Sequence, residues 1–345
     1  MTVDIGKLAF FAVSLSVTVC QAAAAAEIDS VTPRNIQLEN SIAAINEIFN
    51  QRIEQGIEKA NPITEYDPDD AFFDDVDEEE YCDEDALYTE LRKAIYQSLT
   101  ASWGLKGYDL DRQLRRLLAR QSYSLLLNDS IYRDIDYIEG FSLNLKDLSD
   151  VVNIEGHLVG LDKLGHFFAE GWRYFELTHF DEETFEQALA WGKKQEVGKF
   201  GYSTTGIFSH ADLAANFNGW RFWNRVLLKQ DDPLKGTIAN FFTRPYAACK
   251  IQIIDSIRSR KIIRAWEQNA KFDLADYIDG AWDEGNNCNS YADPVIESKV
   301  MKRIENADPG FSCPRHIEHC IAARAKYGDY ARYVLHPFCL TASDD

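Results

Sequence analysis

The sequence predicts an all-α protein: a helical bundle-like domain, preceded by an acidic N-terminal linker and closed by a disulfide-stapled C-terminal region. Three observations predict it. Apolar residues recur at helical spacing through most of the 345 residues, runs of alternating Val, Ile and Thr are scarce, and four cysteines fall beyond residue 280. The chain is long enough to bury a substantial core.

Residues 1–26 read as a cleaved secretory signal, with Lys7, an apolar run from Leu8 to Cys20, then Gln21 and five alanines before Glu27. That run is too short to cross a bilayer. Val19 stands before Cys20 where lipid attachment needs a small residue, so cleavage near Ala26 is expected. The mature chain is then periplasmic or secreted and does not span a membrane. Residues 27–85 form an N-terminal helix and an acidic linker. Ser41 to Lys59 carries Ile42, Ile45, Ile48, Phe49 and Ile53 on one side, and Asp67 to Asp85 is overwhelmingly Asp and Glu. Such a tract reads as a solvated loop; a calcium site would need an EF-hand pattern that is missing.

Residues 86–345 form the helical domain. Helices are expected at Ala86–Thr100, Leu110–Leu127, Leu161–His179, Glu182–Lys199, His210–Leu228 and Ile251–Asn269, with turn-rich stretches at 286–294 and 307–314. A formal net charge of −20 argues against nucleic acid as a partner and repels anionic lipid heads. In an exported chain the six cysteines Cys82, Cys249, Cys288, Cys313, Cys320 and Cys339 favour disulfides, whose pairing the sequence does not rank. Cys313, His316, His319 and Cys320 offer a zinc alternative, at a spacing that fits no standard pattern.

The central region, 156–226, holds the candidate chemistry. Turning 100° per residue along His210–Leu228, Asp212 and Asn216 share a stripe with Ala215, Gly219, Trp223, Val226 and Leu227, while Asn218, Arg221 and Arg225 lie opposite. Glu196 falls on the stripe of Phe185, Ala188, Leu189 and Gly192. Inward polar groups need partners or a task, because an unpaired buried carboxylate costs several kcal/mol. Asp162 and His166, at i and i+4, can present a carboxylate and an imidazole to one point. Ser209 and Asp212 have capping-box spacing, which explains Asp212 without explaining Asn216 or Glu196. There is no zinc-protease helix, phosphate-binding loop or nucleophile elbow.

The ordered pattern Asp162-Lys163-x-x-His166-Phe167, then Glu196, then Ser209-x-x-Asp212-Leu213-x-x-Asn216-x-x-Gly219 resembles the signature of the VanZ-like and YfiM-like bacterial envelope proteins. The likeness covers residues 156–223 and implies an association with the cell envelope. Two functions follow as expectations. In the first, His166, Glu196 and Asp212 catalyse hydrolysis of an envelope component by acid/base chemistry or with a divalent metal held by Asp162, His166, Glu196 and Asp212; Lys163, Asn216 and Ser209 line the pocket. In the second, the same residues form a buried hydrogen-bond network in a non-catalytic envelope protein, whose acidic surface meets a partner.

Overall fold

The computed structural model describes residues 27–61, 82–97, 108–255 and 260–342. The expected signal and most of the acidic tract, up to Tyr81, lie outside these residues. Helix α1 (Ile42–Ala60) buries Ile45, Phe49, Ile53 and Ile57 against α2 (Glu84–Ile95). The two helices approach so closely at Gly56 that a Cβ there would meet the Leu91 backbone at 2.9 Å. Helix α2 starts two residues before its expected position because Asp83 caps it, accepting from the amides of Asp85 and Ala86. Helix α3 (Tyr108–Leu117) follows, ending well short of Leu127, then strand β1 (Ser122–Tyr123) and the short α4 (Phe141–Leu145).

Strands β2 (Val151–Ile154) and β3 (His157–Gly160) form a hairpin that β1 extends into a three-stranded antiparallel sheet. Glu155 and Gly156, with φ of 52° and 87°, make the two-residue turn, which needs positive φ at both positions. The hairpin delivers the chain into one long helical run: α5 (Asp162–Gly165), a π-helical turn (His166–Glu170) and α6 (Gly171–His179). Helix α7 (Phe185–Gln195) begins at a Thr184/Gln187 capping box and likewise runs into a π-helical turn, Glu196–Phe200. After β4 (Ile207–Phe208) comes α8 (His210–Leu227), buried along almost its whole length.

Helix α9 (Thr237–Phe242) precedes strands β5 (Ala247–Asp255) and β6 (Arg260–Gln268), a two-stranded antiparallel hairpin. This departs from the helix expected at Ile251–Asn269. The segment 251–264 contains six isoleucines, β-branched residues that pack well on a pleated strand and lose rotamers in a helix. Strand β7 (Ser290–Tyr291) pairs with β4, and α10 (Pro294–Ala307), α11 (Ile317–Tyr327), α12 (Ala331–Val334) and α13 (Pro337–Thr341) complete the chain. The described residues are therefore predominantly helical, with three small sheets among them, and the strictly all-α expectation is corrected.

The six cysteines among the described residues all pair: Cys288 with Cys313, Cys320 with Cys339, and Cys82 with Cys249. The first two staple the C-terminal region as expected. Because Cys313 and Cys320 are spent in different disulfides, the segment between them has no thiolate to offer zinc. Among the described residues no helix is long and apolar enough to cross a membrane.

Candidate functional site

Helix α8 forms the floor of the site, and its glycine fixes the geometry. A Cβ on Gly219 would lie 1.9 Å from the Phe167 carbonyl oxygen, and one on Gly171 would lie 2.5 Å from the Gly219 Cα. The two helical runs thus cross backbone to backbone. The π-helical turn at His166–Glu170 disturbs the regular ladder at this crossing, and Trp223 Nε1 donates to the Phe168 carbonyl at 2.8 Å. Helix α8 therefore presents Asp212 and Asn216 directly to the first turns of α5, where Lys163 and His166 sit.

Lys163 is the centre. Its side chain is fully buried, and its Nζ lies 2.9 Å from Asp162 Oδ2, 2.5 Å from Asp212 Oδ1 and 2.7 Å from Glu284 Oε1. One ammonium with three acceptors uses all three of its protons. Burial alone would push the Lys163 ammonium down, but the charges of Asp162, Asp212, Glu284 and Glu27 hold it well above the usual lysine range. Asp162 is itself placed by the hairpin and the first turn. Its amide donates to Ser149 Oγ at 3.0 Å, and a Cβ at Gly160 would lie 2.2 Å from its Oδ1.

His166 sits on the other side of Asp212, with Nε2 3.1 Å from Asp212 Oδ2. Burial opposes its charge, yet the Asp212 carboxylate, through charge and hydrogen bond, and the nearby Glu196 raise the imidazole to about 10. Its Nδ1 faces the Asn216 amide at 3.2 Å. As an imidazolium the ring donates to Asn216 Oδ1. With the amide reversed, its nitrogen donates to the carbonyls of Asp212 and His166 at 3.1 and 3.3 Å and faces Nδ1 at 3.2 Å. Asp212, despite burial that pushes it up, is held well below the carboxylate range by His166 and Lys163.

Glu196 opens the second π-helical turn, and burial followed by repulsion from Asp212 pushes its carboxyl up to about 8. Its Oε1 accepts the Ser209 amide at 3.3 Å. This corrects the capping box expected at Ser209 and Asp212. Ser209 Oγ does cap the Asp212 amide at 3.3 Å, but Glu196 takes the Ser209 amide that a capping box would give to Asp212, whose carboxylate meets the Ser209 hydroxyl at 3.2 Å as well as Lys163 and His166. Ser209 Oγ also donates to Glu284 Oε1 at 2.9 Å.

The structure brings together Asp162, Lys163, His166, Glu196, Ser209, Asp212 and Asn216, all 8% exposed or less. It adds two residues that sequence reasoning missed. Glu284 lies in a 3-10 and turn segment with no periodicity to mark it. Glu27 stands immediately after the expected signal, where burial was not anticipated. Its Oε1 accepts from Thr205 Oγ1 at 2.7 Å, and burial with the charges of Asp212 and Glu284 pushes its carboxyl well above the usual range. Burial also raises Glu284, partly offset by Lys163. No family model, curated protein or solved structure matches the chain. The site must be read from its own chemistry.

That chemistry is a cation held by carboxylates, and the cation is the chain's own ammonium. Among the described residues no group of three or more His, Cys, Asp or Glu side chains is placed to hold a metal ion. The carboxylates of Asp162, Asp212 and Glu284 converge instead on Lys163 Nζ. Asn218 and Arg221, opposite Asp212 on α8, are buried as well. Arg221 makes a bidentate contact with Asp232 at 2.8 to 3.0 Å and donates to Asn218 Oδ1 at 2.7 Å, while Asn218 donates to Tyr327 Oη at 2.7 Å. The polar residues opposite the inward stripe therefore mark a second buried contact.

Proposed function

We propose that this chain is a non-catalytic protein of the bacterial cell envelope, in which the Lys163-centred network locks three helical runs together. One observation carries the proposal: Lys163 Nζ is fully buried and contacts three carboxylates at 2.5 to 2.9 Å. A lysine in that position supplies the positive charge that a divalent cation would otherwise bring. The pairing of all six described cysteines supports an oxidising compartment, and residues 1–26 support export to it. The order of the motif residues, all meeting at one helix crossing, supports the kinship with VanZ-like and YfiM-like proteins at the level of this local arrangement.

Acid/base hydrolysis is the second reading. It draws on the elevated carboxyl of Glu196 beside the charged His166, each at a π-helical turn, a feature frequent at functional sites. Metal analysis of protein purified from the periplasm, beside unfolding of Asp212→Ala, separates the two. The structural reading expects no stoichiometric metal and a loss of about 3–5 kcal/mol for breaking a buried ion cluster. Stoichiometric metal that disappears in His166→Ala, with stability unchanged in Asp212→Ala, overturns it.

A further inference from the structure

The chain's acidic balance has a local exception around α9. Residues 235–251 contain Lys235, Arg244 and Lys250 and no Asp or Glu, and extending the segment to Arg264 brings the count to seven Lys or Arg against one acidic residue, Asp255. Within the same segment Ile238, Phe241 and Phe242 are 77%, 82% and 75% exposed. The Phe241 and Phe242 rings stand edge to face at 5.2 Å. Folded proteins rarely leave such an apolar group in water without a use for it.

The helix that carries these residues is mounted firmly. The Asn240 side chain donates to the carbonyls of Asp232 and Lys235 at 3.1 Å each and accepts the Asp232 amide at 2.9 Å. Thr243 Oγ1 donates to Ala239 O at 2.8 Å, and Arg221 clamps Asp232 from the core side. The polar face of α9 is thus spent on holding it down, and its three large apolar side chains are held outward.

We infer that α9 is a peripheral docking element for an anionic lipid bilayer surface. Ile238, Phe241 and Phe242 enter the boundary between headgroups and acyl chains, and Lys235 and Arg244, which bracket α9, meet the lipid phosphates; Lys235 Nζ also donates to Thr243 Oγ1 at 3.1 Å, and Lys250 on β5 is already paired with Glu267 at 3.1 Å. A short amphipathic helix with aromatic and aliphatic residues on one side and cations at its flanks has the chemistry for this placement. The cations that bracket the exposed apolar residues give this patch the opposite sign to the rest of the chain and complement anionic headgroups, and a second copy is the competing occupant that the test below separates. The inference does not depend on whether the Lys163 network is catalytic.

Flotation of the full disulfide-bonded mature chain with vesicles of phosphatidylcholine, alone or mixed with phosphatidylglycerol, tests it. Binding is expected to the mixed vesicles and at least about tenfold less to phosphatidylcholine alone, weakening as salt screens the charges. Replacing both Phe241→Ser and Phe242→Ser should reduce binding at least about tenfold. Arg244→Glu should also weaken it. Ile138→Ser, at a 94% exposed position outside this segment, should leave it unchanged. All these positions are exposed, so unchanged thermal unfolding confirms that the variants are folded. Absence of binding to the mixed vesicles overturns the inference, as does binding that survives the double phenylalanine replacement. Concentration-dependent dimerisation lost in the same double variant, without vesicle binding, assigns the patch to contact between copies instead.

Discussion

Helix α8 carries two buried polar clusters on opposite faces, and they are built on different principles. The Arg221 cluster is matched: one guanidinium meets one carboxylate, Asp232, in a bidentate contact, and Asn218 and a backbone carbonyl take another of its protons. The Lys163 cluster is unmatched, with five carboxyl groups, those of Glu27, Asp162, Glu196, Asp212 and Glu284, around Lys163 and His166. Two cations cannot neutralise five anions, so Glu196 and Glu27 are driven toward their protonated forms while Asp212 stays ionised. The first cluster stores no surplus charge. The second depends on protons, and pH therefore reaches one face of the helix more than the other.

The sharpest test removes the central cation. Lys163→Met should destabilise the protein by about 3–5 kcal/mol, because three buried carboxylates lose their shared partner. Acidification should recover part of this loss by protonating them. Urea unfolding at pH 5 and pH 8 measures both, and a loss independent of pH would show that charge is not the cause. Arg221→Met should cost about 2–4 kcal/mol, but adding Asp232→Leu should restore most of it, as expected for a matched pair that apolar side chains can replace. No such two-residue rescue is expected for Lys163, since removing Asp212 with it still leaves Asp162 and Glu284. A recovery in that double variant would erase the distinction between the clusters.

Gly219→Ala tests the crossing that brings α5 and α8 together. The new methyl would meet the Phe167 carbonyl, and the repacking should cost about 1–3 kcal/mol in thermal or urea unfolding. The smallest effect is expected from Glu196→Gln. Near neutral pH an amide replaces a carboxyl that is mostly protonated, so stability should stay within about 1 kcal/mol. The pH profile should change more. A carboxyl raised from 4.5 to about 8 adds stability below pH 4.5 that is lost as pH rises to 8, at up to about 1.4 kcal/mol per unit. His166, raised from 6.5 to about 10, adds a decline in the same direction between those values. The wild type should thus lose stability from pH 6 to pH 9, with a shallower slope for Glu196→Gln. Equal slopes would remove Glu196 from the titrating set.

The helical elements that carry the site were legible because their apolar stripes are long. Asp212, Asn216 and Glu196 stood out as polar residues on those stripes, and all three are buried. What periodicity could not show was the partner set. Glu284 arrives from a turn, and Glu27 from the irregular segment before the 3-10 turn at Thr32–Asn35, neither of which has a period to read. Lys163 was read as lining a pocket; it is instead fully buried at the centre of the network. Arg221 and Asn218 were assigned to the outer face because polar residues opposite an apolar stripe usually are, yet the segments holding Asp232 and Tyr327 cover them. The hairpin at 247–268 was mistaken for a helix because its paired isoleucines mimic helical spacing over short windows.

The disulfide between Cys82 and Cys249 closes a covalent ring across 167 positions, and that ring contains Asp162, Lys163, His166, Glu196, Ser209, Asp212 and Asn216. Glu27 and Glu284 enter from the two tails outside it. The network is therefore also a clasp: the ring's own ammonium grips Glu284 from one tail, and the ring's Thr205 holds Glu27 from the other. A single backbone cut within the ring leaves one molecule whose pieces stay joined through Cys82 and Cys249, whereas a cut after Glu27 or before Glu284 releases an arm of the clasp.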